Sequence, residues 1–142
     1  MHIIKHLFHI DAPRSKVFDA LNTIDGLANW WTTETTGNTE VDNVIQFSFG
    51  PHGVQEMKVT QVEKDVLIEW ENVQGHEWNG NKFRFELDDN DGKTRVRFSH
   101  SGFEEADDFY AICSFSWGRY LESLRQYCQT GVGQPFGSET FA

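Results

Sequence analysis

The chain has no long apolar run, only 2 cysteines in 142 residues, and 12 basic side chains against 22 acidic ones. No segment approaches the roughly 20 consecutive apolar residues a bilayer requires, which excludes a membrane-spanning helix. Cys113 and Cys128 are 15 positions apart in one predicted helix, about 22 Å at helical rise and far beyond disulfide reach. Both are expected to be free thiols, as in a reducing compartment. The formal charge of −10 repels phosphate backbones and anionic headgroups at long range, so nucleic acid is excluded as a partner. The N-terminus interleaves His2, Lys5, His6 and His9 with apolar residues and lacks the apolar block of a signal peptide; a cytoplasmic protein is expected.

Catalytic and metal motifs are also missing. There is no Cys-x-x-Cys, no His-Glu-x-x-His and no Asp-rich calcium loop, and the six histidines are scattered, so neither metal nor cofactor is expected. Gly-x-Ser-x-Gly elbows, phosphate-binding loops and dinucleotide glycine patterns are absent too. Glu69 and Glu71 share a strand face, but it is opposite the apolar face of Ile68 and Trp70, the solvated side where strand carboxylates normally sit. No residue is assigned a catalytic role.

The chain does contain alternating apolar segments rich in aromatics. Ile3 to Ile10 reads as a strand ended by Asp11-Ala12-Pro13, after which Val17, Phe18, Leu21 and Ile24 give a short helix one apolar face. Gly26 to Trp31 suggests a second short helix, and the threonine-rich stretch 32–43 a loop or weak edge strand. Strands with a period of two follow: Ile45, Phe47 and Phe49; Met57 and Val59; Val66, Ile68 and Trp70; Phe83, Phe85 and Leu87; Val96, Phe98 and His100. Turn signals at Gly50-Pro51-His52-Gly53, Lys64-Asp65 and Asp88-Asp89-Asn90-Asp91-Gly92 separate them, giving an antiparallel meander with one apolar and one charged face.

An amphipathic run from Phe109 to Cys128 then starts behind Glu104, Glu105, Asp107 and Asp108 and stops at Gly131, matching the polarity of a helix dipole and the αL stop of a C-terminus. Ser101 and Glu104 have capping-box spacing for its start, while Phe103 equally suits a continuation of the preceding strand. The expected fold is α+β, a curved antiparallel sheet wrapped around a long C-terminal helix with two short N-terminal helices at its edge. One domain over 1–132 is expected, followed by a short tail, 133–142, lying loosely on the surface.

The local sequences Ile10-Asp11-Ala12-Pro13, Lys16-Val17-Phe18-Asp19-Ala20-Leu21, Trp30-Trp31, Phe47-Ser48-Phe49-Gly50 and Ile68-Glu69-Trp70 carry a family resemblance. So do Phe83-Arg84-Phe85-Glu86-Leu87, Thr94-Arg95-Val96-Arg97-Phe98, His100-Ser101-Gly102-Phe103 and Trp117-Gly118-Arg119-Tyr120-Leu121-Glu122-Ser123-Leu124. In order and spacing the chain resembles the SRPBCC or START-like superfamily with its helix-grip (Bet v-like) fold. Within it, the chain is similar to the group named after the activator of the ninety-kilodalton heat-shock protein's ATPase. The resemblance implies a helix-grip domain. It implies no single activity, because lipid carriers, receptors, cyclases and co-chaperone domains share the fold.

Facing parity and the fold together place a pocket between sheet and C-terminal helix, for a small apolar or aromatic molecule. Its expected walls are Phe47, Phe49, Trp70, Phe83, Phe85, Phe98, Phe109, Cys113 and Trp117, with His100 and Tyr120 orienting the ligand. Trp78 and one of Trp30 and Trp31, here assigned to Trp31, stand at the mouth. Neighbours on a helix are about 100° apart, so Trp30 and Trp31 are not expected to face inward together. The same rings equally suit a filled core. Two further readings stand beside the pocket: a chaperone or other protein-interaction module, with the chain a monomer or weak dimer, and a polyketide cyclase/dehydratase-like enzyme, for which His100 is the only candidate base.

Overall fold

A computed structural model describes residues 1–74 and 76–138, the His76 side chain apart. The chain runs β1 (His2–Ile10), α1 (Arg14–Asn22), α2 (Ile24–Trp30), β2 (Thr35–Gly37), β3 (Val44–Ser48), β4 (Val54–Glu63), β5 (Leu67–Gln74), β6 (Lys82–Asn90), β7 (Lys93–Phe103) and α3 (Asp108–Thr130). The strands form one antiparallel sheet of seven in the order β1-β7-β6-β5-β4-β3-β2. The meander is consecutive from β2 to β7, and β1 returns to pair along β7. This is the α+β helix-grip architecture.

Each hairpin follows local turn chemistry. Asp91 and Gly92 both have positive φ, 53° and 77°, the two-residue connection whose twist matches antiparallel strands. Period-two alternation then sorts the faces. Ile45, Phe47, Met57, Val59, Ile68, Trp70, Phe83, Phe85, Leu87, Val96 and Phe98 are all buried on the inner face. On the opposite face, Arg95 grips Asp88 through two bonds of 2.9 and 2.7 Å, Arg97 adds a third at 3.2 Å, and Arg84 pairs with Glu69 at 3.1 Å. Those arginines hold the Asp88 carboxyl down to about 2. Glu69 is thus tied to a cation on the outer face and is remote from any apolar site.

Thr23 joins the two short helices. It ends α1, donating from Oγ1 to Asp19 O at 2.7 Å, and caps α2 by accepting from Gly26 N at 3.0 Å. A Cβ on Gly26 would lie 2.7 Å from Ala20 Cα, so only glycine permits this helix approach.

Four expectations need correction. Of the two readings of Ser101–Phe103 the strand holds and the capping box does not: β7 continues through Phe103, and Asp107 is the cap, accepting from Tyr110 N at 3.0 Å. Val66 does not share a face with Ile68, because Asp65 at φ 63° breaks the parity at the turn, leaving Val66 exposed.

Trp30 and Trp31 are both fully buried. Regular α-helix ends at Trp30, and protein covers both sides of the junction. Trp30 points back to α1, donating from Nε1 to Ala20 O at 2.8 Å, while Trp31 enters the space between sheet and α3. The tail is not loose either. Phe136 N donates to Trp31 O at 2.7 Å, Thr33 N to Phe136 O at 3.0 Å and Gln134 N to Ser123 Oγ at 2.7 Å. Gly133 and Pro135 are buried, so residues through Ser138 belong to the same packing unit; 139–142 lie outside the described residues.

Candidate functional site

Behind α3 the interior is filled. Trp31 stands at its centre, with ring centroids 4.2 Å from Phe47, 5.0 Å from Trp117 and 5.9 Å from Trp70. Phe85 and Phe98 close the remaining gap, 5.0 Å from each other. These separations are direct aromatic contact, and they leave no room for a ligand deep in the grip.

Space remains nearer the surface, in a half-open cleft of about 250 Å³. One wall is a stripe of α3: Phe109, Ile112, Cys113, Ser116, Trp117 and Tyr120 recur at the three- and four-residue spacing of one helix face. The β3–β4 turn brings Phe49 and His52, β4 brings Gln55, and the β5–β6 connection brings Glu77 and Trp78, while Trp31 forms the floor. Phe136 backs the rim, 5.6 Å from Phe49 and 6.3 Å from His52. Trp78 donates from Nε1 to Cys113 Sγ at 3.4 Å, fixing its ring across the opening. Burial, then the carboxylates of Glu77 and Asp107, push the Cys113 thiol up, and burial takes the Tyr120 hydroxyl to about 12. Both groups therefore stay protonated at neutral pH.

His100 lies behind this wall, fully buried. Trp117 Nε1 donates to its Nδ1 at 3.0 Å, which places the ring proton on Nε2, and Nε2 donates to Asn81 Oδ1 at 2.8 Å. Burial lowers its pKa to about 3, so the ring is neutral in ordinary solution. Both nitrogens are engaged, so the ring ties Trp117 to Asn81. Trp31 Nε1 and Trp70 Nε1 are buried and find no partner among the described residues.

Residues 11–129 match the model of the activator of Hsp90 ATPase homolog 1-like protein family. The chain belongs to that family. A solved relative, the Aha1 dimer from Colwellia psychrerythraea, is 33% identical and superposes with a TM-score of 0.87 over 94% of this chain and 100% of its own. Protein SSP2350 from Staphylococcus saprophyticus is 19% identical, with a TM-score of 0.76 over 93% of this chain and 95% of that one. CalU16 from Micromonospora echinospora is 14% identical, with a TM-score of 0.71 over 88% and 71%. The last two share the fold. A comparison with curated proteins gave no match.

In this member of the activator of Hsp90 ATPase homolog 1-like family, the residues expected to form one pocket divide into two groups. Trp31, Phe49, Trp78, Phe109, Cys113, Trp117 and Tyr120 line the cleft. Phe47, Trp70, Phe83, Phe85, Phe98 and His100 sit in the filled interior behind it. Sequence reasoning missed Ile112 and Ser116, although the helical stripe through Phe109, Cys113 and Trp117 passes over both. It also missed His52, Gln55 and Glu77, which lie in or beside turns and carry no periodic signal. Among the described residues no helix is long and apolar enough to cross a membrane, and no group of three or more His, Cys, Asp or Glu is placed to hold a metal ion.

Proposed function

We propose that this chain binds a small, largely apolar or aromatic molecule in the cleft between the sheet and α3. The observation that supports the reading is that six aromatic residues, Trp31, Phe49, Trp78, Phe109, Trp117 and Tyr120, wall an open space of about 250 Å³ over a core too full to collapse into it. Apolar burial drives such binding, and a few fixed polar groups orient the guest; Ser116 and the protonated Tyr120 hydroxyl are on the wall for this. His100 has no part in that contact.

The test is a tryptophan-fluorescence titration with indole and 1-naphthol, repeated on Ser116→Phe, which puts a ring into the cleft from a half-buried helix position. Saturable binding by the wild type that is lost in Ser116→Phe is the expected result. Absence of saturable binding by the wild type, or an unchanged affinity in the variant, would end the reading.

A second reading, contact with another protein chain, draws on Ile112 and Phe115, 62% and 74% exposed on α3, and on the dimeric state given for the Colwellia relative. Sedimentation over a wide concentration range, with Phe115→Ser as the control, tests self-association. Stimulation of a heat-shock ATPase tests the co-chaperone version.

A further inference from the structure

The surfaces of the cleft that a guest can reach are not its floor. Trp31 and Trp117 are 0% and 2% exposed and packed on each other, so a guest meets the half-buried or exposed Phe49, Trp78, Phe109, Ile112 and Tyr120 and the polar side chains beside them. Besides the burial that dominates both shifts, the Cys113 thiol feels the carboxylate of Glu77 and the Tyr120 hydroxyl the cation of Arg119. Charges of both signs thus act on this wall, and a placed hydrogen-bonding group is what can discriminate between guests.

Gln55 is such a group, and it is anchored from behind. It lines the cleft and also a second cavity, shared with His52, Gln74, Glu77 and Asn79, so it stands where the two spaces join. The strand register changes beside it: Glu56 pairs with Gln74 but Met57 with Asn72, which makes Val73 an extra residue on β5, a bulge of the kind that re-aims neighbouring side chains. Asn72, 1% exposed, donates from Nδ2 to Gln55 Oε1 at 2.8 Å, and Met57 Sδ at 3.6 Å is a second acceptor for the same nitrogen. A thioether sulfur accepts and never donates, so this contact fixes which end of the Asn72 amide is nitrogen. With Oε1 committed to Asn72, the Gln55 amide is held in one orientation, and its Nε2 has no protein partner among the described residues.

We propose that Gln55 selects the guest by donating from Nε2 to a neutral oxygen acceptor on it, so that the cleft takes an aromatic compound bearing a carbonyl group, its ring against Phe49, Trp78 and Phe109 and its oxygen where the two cavities join. This rests on the reading that the cleft binds small molecules, and it names the class. A guest without an acceptor displaces water from the Gln55 amide and leaves that donor unsatisfied, which is the asymmetry that makes a hydrogen bond selective. A carboxylate in the same role is opposed by the formal charge of −10. Asn72 acts only through Gln55 and is a positioning residue.

Acetophenone and α-methylstyrene are matched in shape and differ in one group, a carbonyl oxygen in place of a methylene, so NMR titration of the isotope-labelled full chain with each isolates the acceptor. The same titrations on Gln55→Glu remove the donor, since glutamate still accepts from Asn72 but offers no N–H. The variant should bind acetophenone about three- to tenfold more weakly, the range of one neutral hydrogen bond, and α-methylstyrene as before. The Gln55 side-chain amide signals, identified by their absence from the variant, should move downfield with acetophenone only. Equal effects of the substitution on the two probes, or acetophenone affinity unchanged or tightened by it, overturns the donor and leaves the apolar cleft standing. Acetophenone that fails to bind where α-methylstyrene, indole or 1-naphthol binds does the same. Acetophenone binding that survives Ser116→Phe lies elsewhere and overturns the proposal. Failure of all four probes overturns the cleft itself.

Discussion

Acidifying the protein from pH 7 to pH 5 should weaken the fold through His100. In the native state burial holds this imidazole at about 3, against 6.5 for the ordinary group. Its folded pKa is therefore depressed. The unfolded chain takes up a proton as pH falls through 6.5 while the native protein does not, so stability is fully present above 6.5 and is lost progressively down to 3. At pH 5 the difference amounts to about 1.5 pH units of unmatched protonation, or about 2 kcal/mol. That is a substantial share of the roughly 5–15 kcal/mol that keeps a domain folded. Urea unfolding at pH 7, 6 and 5 measures it, with His100→Gln as the comparison. Glutamine offers an oxygen to Trp117 Nε1 and an N–H to Asn81 but takes no proton, so it isolates the titration from the packing. The variant should lose about 2 kcal/mol less over this range. Parallel slopes for the two proteins would refute the neutral, doubly bonded histidine.

Ser123→Ala should cost about 1–3 kcal/mol in chemical unfolding, because Trp30 O and Gln134 N, bonded to its hydroxyl at 2.8 and 2.7 Å, lose that partner at a buried position. Asp107→Ala removes the α3 cap and should cost about 1 kcal/mol, with Asp107→Asn retaining most of it; equal losses would mean that charge and not capping matters. Burial raises the Cys113 thiol and takes Cys128 to about 12, so neither should react with a thiol probe in the native protein at neutral pH, and both should react in urea. Trp31→Ala should destabilise by about 3–5 kcal/mol while joining the cleft to the space beside Phe47 and Trp70, so that 1-naphthol binds more tightly; unchanged affinity would separate the cleft from the core.

The sheet, its turns and α3 were legible because their signals are local and repeat: alternation from Phe83 to Leu87, the Asp91-Gly92 turn, the αL stop at Gly131. Parity also sent the right residues inward, Val66 excepted. It did not reveal depth. Phe47, Trp70, Phe83, Phe85 and Phe98 face the helix as expected, yet facing inward does not distinguish a wall from a filling, and Trp31 arriving from α2 decides that. The position of Trp31 depends on the end of α2 and on the Phe136 and Gln134 bonds from the far end of the chain. No window of sequence contains both. The surroundings of His100 were hidden for a related reason: its face was right, but Asn81 and Trp117, which occupy its two nitrogens, come from a loop and a helix 19 and 17 positions away.

The filled core also sets the strength of anything the cleft binds. A pocket reaching the full depth of the grip would enclose a large apolar ligand, whereas about 250 Å³ falls just below the roughly 300 Å³ at which pockets for drug-sized molecules begin. A single ring that buries about 150 Å² gains about 4 kcal/mol, equivalent to a dissociation constant near a millimolar. Each further factor of ten needs about 1.4 kcal/mol from another source. Additional burial cannot supply it, since Phe47, Trp70 and Phe98 already occupy the depth. Under the proposed reading, tighter binding therefore has to come from polar contacts with the wall, because the volume leaves apolar contact too little to discriminate with.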